Sequence, residues 1–239
     1  MDADGGTGIE IRRAGDRYRG GDPAAGVETR HAFSFSGFYD PGNLRFGPLT
    51  ACNEERLDPG AGYAEHTHRD LEIVTWVVEG ELTHRDSAGN ATVVRPGDLQ
   101  RLTTGAAARH VERNDGALPL RFLQMWLVPD VPGGATEYTV VRAFPPGAEH
   151  RLPRTDATLR VARPEPGEEV PLPRTPLAHL QVVRGAARLG AIGLAPGDEA
   201  RITAPVAHRP ALVGTTPGTE VLLWGLRPPA PPPTGPHAA

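Results

Sequence analysis

Lysine is absent from this chain: all 25 cationic side chains among its 239 residues are arginine. With no lysine amine, Schiff-base catalysis by a side chain is excluded. Cysteine is nearly absent too. Cys52 stands alone, so neither an intrachain disulfide nor a thiolate metal cluster can form. No histidine pairs with it in sequence, and it reads as a small buried apolar residue rather than a nucleophile. No apolar run approaches the ~20 residues that span a bilayer, and residues 1–6 lack the basic-then-apolar pattern of a signal peptide. A soluble cytoplasmic protein, without a membrane partner, is expected. The formal charge is −4, with no basic stripe to meet a nucleic-acid backbone. Amphipathic helical periodicity nowhere persists beyond about three turns.

What the chain does have is turn formers: Gly 29 and Pro 26, against 38% hydrophobic residues. Many short strands joined by tight turns suit that composition, which points to an all-β fold. Residues 72–78 (E-I-V-T-W-V-V) are β-branched and aromatic enough for a strand buried on both faces. Residues 86–90 (D-S-A-G-N) and 96–98 (P-G-D) read as turns.

Around these lies the stretch that carries chemistry. It opens G-A-G-Y-A-E-H-T-H-R-D-L-E at 60–72 and closes G-A-A-A-R-H-V-E-R-N at 105–114. His66 and His68 are two apart, as are His110 and Glu112. In a strand, such residues share a face, roughly 6.6 Å apart along the chain. Two such pairs on facing strands would make a metal site of three histidines and one carboxylate. That donor set suits a divalent transition metal: Fe, Ni, Cu or Zn by the imidazoles, with Mn tolerated by the carboxylate.

The spacing G-x5-H-x-H-x3-E, then P-G-D and H-x3-N, resembles the two signature motifs of the cupin superfamily. Within it, E-H-T-H-R-D-L-E-I-V-T-W-V-V-E-G, P-G-D-L-Q-R-L-T-T-G and R-H-V-E resemble the pirin family, as does R-H-A-F-S-F-S-G-F-Y-D-P at 30–41. The likeness is to the bacterial, quercetin 2,3-dioxygenase-like branch. It implies a bicupin of two β-barrels, iron as the metal, and cleavage of a flavonol by dioxygen; Glu112, on detaching from the metal, would be the general base that accepts the enol proton. The alternative it carries is a non-catalytic, metal-dependent regulator acting on a protein partner. The general cupin pattern uses the glutamate after H-x-H, here Glu72, whereas the pirin pattern uses H-x-E. Glu112 is the carboxylate adopted, because it sits beside His110 on one strand; Glu72, Tyr63 and Gln124 are then expected to support the ligands or line the pocket.

The remaining stretches give further expectations. Residues 1–8 and 229–239 read as disordered ends, 9–145 as the metal-bearing barrel, 145–156 as a linker and 146–228 as a second, degenerate barrel. The second barrel is read from echoes: V-V-E-G at 77–80 recurs as V-V-R-G at 182–185, and R-P-G-D at 95–98 as A-P-G-D at 195–198. Aligning the glycines places Pro173, Thr175 and Pro210 where His66, His68 and His110 stand, so that barrel should hold no metal. His179 and His208 read as ordinary histidines and His237 as inert. Residues 14–27, with four glycines, should be irregular. His31, Phe33 and Phe35 should share one strand face, with His31 a hydrogen-bonded core histidine. A monomer acting on a small aromatic substrate is expected.

Overall fold

The computed structural model describes residues 8–228. In it the glycine- and proline-punctuated sequence forms 21 short strands and three single-turn 3-10 helices. The strands pair antiparallel. The all-β expectation is met by two pairs of sheets. In the first, a seven-stranded sheet runs in the spatial order Glu137–Val141, Leu99–Thr103, Glu72–Glu79, Leu120–Leu127, Leu49–Leu57, Val27–His31, Tyr18–Asp22. It faces a four-stranded sheet, Gly62–His68, Ala108–Arg113, Leu82–Asp86, Ala91–Val94. In the second, a six-stranded sheet (Ile9–Arg12, Glu199–Ile202, Leu177–Arg184, Glu220–Leu226, Ala157–Ala162, Glu149–Arg151) is accompanied by Glu169–Val170, Leu212–Gly214, Ala187–Leu189 and Ile192–Leu194.

Alternation along the strands decides which side chain goes where. In Glu72–Glu79, Val77 enters the first barrel with Leu82, Leu120 and Phe122. Val74, Trp76 and Val78 point the other way, onto Leu159, Val161, Leu222 and Trp224 of the second. The two large sheets therefore meet back to back, and this strand is buried on both faces as its composition suggested. The second barrel has its own core of Leu180, Val182, Leu189, Leu212 and Leu223.

Several expectations need correction. Ile9–Arg12 pairs with Glu199–Ile202, so the chain begins in the second sheet pair rather than the first. Gly8 is held as well, its carbonyl accepting from the N–H groups of Thr203 and Ala204; the expected disorder at residues 1–7 and 229–239, His237 included, concerns positions outside the described residues. Residues 14–27 are not irregular: Tyr18–Asp22 pairs with Val27–His31 as a hairpin. Its glycines serve close approach, since a Cβ on Gly20 would lie 2.4 Å from the His31 ring. The linker at 145–156 contains Glu149–Arg151, paired with Ala157–Ala162. Phe33 and Phe35 do not share a face. The strand ends at His31, and two-residue periodicity ends with it. Phe33 enters the inter-barrel core beneath the Arg201 guanidinium, 4.1 Å from its ring, while Phe35 stacks on His31 with centroids 4.9 Å apart. His31 is buried and meets Asn53 Oδ1 at 3.0 Å, as a core histidine should.

Between the barrels sits one buried ionic cluster. Glu199 Oε1 accepts from Arg201 Nη2 at 2.9 Å, and its Oε2 lies 3.4 Å from Arg17 Nη2 and 3.3 Å from His179 Nε2. Donor atoms of Cys52, His179 and Glu199 come within 4.8 Å of one another, yet this is no metal site. Two guanidiniums already neutralise the carboxylate and would repel a further cation, and burial pushes the Cys52 thiol up to about 12. The thiol instead donates to Gln181 Oε1 at 2.7 Å. Glu199 is held down at about 2: burial would raise it, but His179, Arg17 and Arg201 outweigh that. Glu199→Ala, which strands two guanidiniums, should cost about 3–5 kcal/mol in denaturant unfolding. In the parent the folded carboxyl ionises more readily than its ordinary value of 4.5. Its contribution is therefore complete above about 4.5 and lost as pH falls toward about 2. Melting midpoints across that range should drop more steeply for the parent than for Glu199→Ala.

Candidate metal centre

Cross-strand register brings the two ligand pairs together. Gly62–His68 and Ala108–Arg113 are neighbours, with His110 opposite His66 and Ala108 opposite His68. The register shifts between His110 and Glu112, which puts Glu112 opposite Tyr63. On its other edge Ala108–Arg113 pairs with Leu82–Asp86, and there Glu112 faces His84.

Nitrogens of His66, His68 and His110 fall within 4.8 Å of one another. His66 Nδ1 donates to the Ala64 carbonyl at 2.8 Å, which turns the lone pair of Nε2 inward. That Nε2 lies 3.1 Å from His110 Nε2. Nε2 of His68 is buried with no hydrogen-bond partner. Adjacent ligands held ~2.1 Å from one ion at right angles would be about 3 Å apart, so the spacing and the orphaned nitrogen both fit a cation among the three rings. Burial, then the neighbouring His110 and His66, push the His68 pKa down to about 4. Burial also lowers that of His110. Both rings are thus neutral near pH 7, as ligands must be.

Glu112 closes the group from below. It is 1% exposed. Gln100 Nε2 donates to Oε1 at 3.0 Å and Gln124 Nε2 to Oε2 at 2.6 Å. Burial would raise its carboxyl, but His84, His110 and the Gln124 amide prevail and hold it down at about 2. One donor atom each from Glu112, His110 and His84 lie within 4.8 Å of each other. His110 is thus common to both clusters, and His66, His68, His110 and Glu112 together could hold one divalent cation, with His84 behind Glu112.

Glu72 is elsewhere. It shares strand parity with Val74 and Trp76 and faces away from the barrel interior. Its Oε1 accepts from Thr103 at 3.2 Å and lies 3.9 Å from Arg101. No metal-ligating group among the described residues includes it. Gln124 pairs rather than projecting free: beyond Glu112, it accepts from Trp126 Nε1 at 3.0 Å. Tyr63 donates to Glu55 Oε2 at 2.6 Å and stands edge-on to the His66 ring at 6.4 Å. Buried Glu55, also bonded by Thr29, has its carboxyl raised to about 7 by burial.

Of the three clustered histidines only His66 is partly exposed, and Trp126 and Phe35 are half-buried as well. Trp126 meets the His68 ring edge-on at 4.7 Å and Phe35 at 4.9 Å, so an aromatic wall stands beside the histidines.

Sequence reasoning missed His84, Gln100 and Glu55. For His84 a signal existed: T-H-R-D sets His84 and Asp86 two apart, the same parity that marks the ligand pairs.

The second barrel repeats the frame without the ligands. The bond from Gly60 N to Asn114 O recurs as Gly167 N to Gly214 O, consistent with Pro173, Thr175 and Pro210 at the histidine positions. There the Arg209 guanidinium donates to the carbonyls of Pro173, Thr175, Pro176 and Ala204, an organic cation tying together what the ion would tie in the first. His208 is exposed.

Comparison with known proteins agrees with this geometry. The family model described as Pirin matches residues 12–127. The chain is 39% identical over 236 residues to a Mycobacterium tuberculosis protein named "Putative quercetin 2,3-dioxygenase", covering 91% of this chain and 95% of that one. It is 34% identical over 131 residues to the Escherichia coli K12 quercetin 2,3-dioxygenase, covering 54% and 56%. Its fold superposes on the crystal structure of the Escherichia coli bacterial pirin YhhW in complex with nickel(II), at a TM-score of 0.82 and 26% identity over 92% of this chain and 99% of that one. On its motifs, its barrels and its relatives alike, this chain belongs to the pirin family.

Proposed function

We propose that this chain is a metal-dependent dioxygenase that opens a flavonol such as quercetin, with His66, His68, His110 and Glu112 holding a single divalent ion, iron in the working protein. One observation carries the reading: the buried ligand cluster opens on the side of half-buried His66, alongside the rings of Trp126 and Phe35. A flat aromatic substrate can lie against that wall and reach the ion. The relatives named as quercetin 2,3-dioxygenases support the substrate class.

An ion held by His66, His68, His110 and Glu112 would supply Lewis acidity toward the oxygens of a bound flavonol. The protein's part is orientation and proton handling. Trp126 and Phe35 displace water from the ring face and keep the local dielectric low. Gln100 and Gln124 hold the Glu112 carboxylate in place among the ligands, so that it need not reorganise to meet a cation. A Glu112 oxygen released from that role would accept the enol proton of the flavonol.

Two measurements test the assignment. Dioxygen uptake by iron- or nickel-loaded protein should follow flavonols and fail with flavones, which lack the 3-hydroxyl next to the 4-carbonyl. Absence of uptake from every flavonol by fully metallated protein would remove the enzyme reading and favour a regulator with a protein partner. Glu112→Gln should lose most of its metal on dialysis and nearly all activity. Glu72→Gln, distant from the histidines, should keep its metal. Full metal in the first variant and none in the second would transfer the ligand role to Glu72.

A further inference from the structure

The four ligands leave His84 unexplained. Its ring is fully buried, stacks on Tyr138 with centroids 4.3 Å apart and planes within 10°, and leaves Nδ1 without a hydrogen-bond partner. An orphaned buried nitrogen is destabilising, and such a group calls for an explanation beyond stability.

A chain of contacts that starts in the hairpin turn at 86–90 fixes the ring. Asp86 Oδ1 accepts from the backbone N–H groups of Ala88 and Asn90 at 2.9 and 3.0 Å, and Oδ2 from the Asn90 side chain at 2.8 Å. The carboxylate pinned in this way lies 3.3 Å from His84 Nε2. The other ring nitrogen, Nδ1, then faces Glu112 Oε1 at 3.9 Å. Gln100 and Gln124 already hold Glu112 from two sides. His84 stands on a third.

The second barrel is an internal control. Its frame aligns Glu112 with Leu212, and Leu212 faces Leu189 as Glu112 faces His84. The P-G-D turns align Gln100 with Ala200. Thr75 and Gln124, which face each other, correspond to Leu180 and Leu223, which also face each other. The carboxylate and the four polar residues around it are replaced by five apolar ones, all within a single core cluster. The strand plan therefore needs none of them, and a leucine at the His84 position folds. His84, Gln100, Thr75 and Gln124 are present where Glu112 is present and absent where it is absent.

We propose that His84, anchored through Asp86, is a positioning residue for Glu112. Asp86, His84 and Glu112 form an arm from the hairpin turn to the ion, and the His84 ring closes the side on which the carboxylate could otherwise rotate away from the three histidines. This rests on Glu112 being a ligand. The arm makes the strength and orientation of the carboxylate bond depend on a residue that does not touch the ion.

The test uses full-length protein loaded with Cu(II) as a probe, its affinity read by chelator competition and its ligand field by electron paramagnetic resonance. His84→Leu, the residue of the metal-free barrel, should fold, bind Cu(II) about 10–100-fold more weakly and show a changed copper hyperfine splitting. His84→Gln, which keeps a polar side chain beside Glu112, should recover part of both. Unchanged affinity and spectrum in His84→Leu would overturn the arm. Glu112→Gln separates the two levels: if it too leaves affinity and spectrum unchanged, the ligand assignment beneath the proposal has failed, whereas a change there and none in His84→Leu defeats the arm alone. Should His84→Leu not fold, His84→Gln and Asp86→Asn decide, and parent-like copper binding in both would overturn it.

Discussion

A charged carboxylate at the floor of a β-barrel governs the first half of this chain. Water does not solvate Glu112, and an isolated ion in so apolar a place is prohibitively costly. The barrel answers with two glutamine amides, two histidines within reach and room for a cation. Each comes from a different strand, so the register of the sheets is bound to the electrostatics of one side chain. A one-residue slip of Ala108–Arg113 would turn His110 and Glu112 outward together. The shift in register between them is then a means of aiming Glu112 at the floor while His110 stays level with His66.

The second half shows the same strand plan without that constraint. Its interior is aliphatic, and its mouth is tied by a guanidinium. What it contributes is a back wall. The sheet carrying Gln124, Thr75 and Gln100 on one face has Trp76, Met125 and Leu123 on the other, pressed against Trp224, Leu159 and Val161. A strand that must hold an amide at hydrogen-bond distance from a carboxylate benefits from close packing behind it, since dense interiors transmit displacement rather than absorb it. The Glu199 cluster adds a polar registration point to that apolar interface.

The legible part of the site was what strand parity within one segment reveals. His66 with His68, and His110 with Glu112, are each two residues apart, so their common direction follows from local geometry alone. The two barrels were readable because the turn motifs V-V-x-G and P-G-D repeat. What stayed hidden depends on cross-strand register. Gln100 and His84 reach Glu112 only because Leu99–Thr103 and Leu82–Asp86 lie where they do, and no spacing in sequence encodes that. Periodicity also misled where strands stop early, as at Phe33 and Phe35. Glycine content misled at residues 14–27, where Gly20 serves a close approach to His31 rather than a loop. Cys52 read correctly as buried, but its partner Gln181 lies 129 positions away.

The two barrels also separate what the fold needs from what the chemistry needs. Filling the interior with leucine is the route to stability, and the second barrel takes it. The first keeps histidines, glutamines and a carboxylate in the equivalent places, with nitrogens of His68, His84 and His110 left unpartnered. Each such departure costs free energy that the aliphatic version does not spend. Departures clustered around one point, in one of two otherwise matching frames, mark the position where function rather than folding chose the residues. By the same comparison, the first barrel's floor is where buried polar groups gather around a single carboxylate, and the His66 and Trp126 side chains beside it are half-buried.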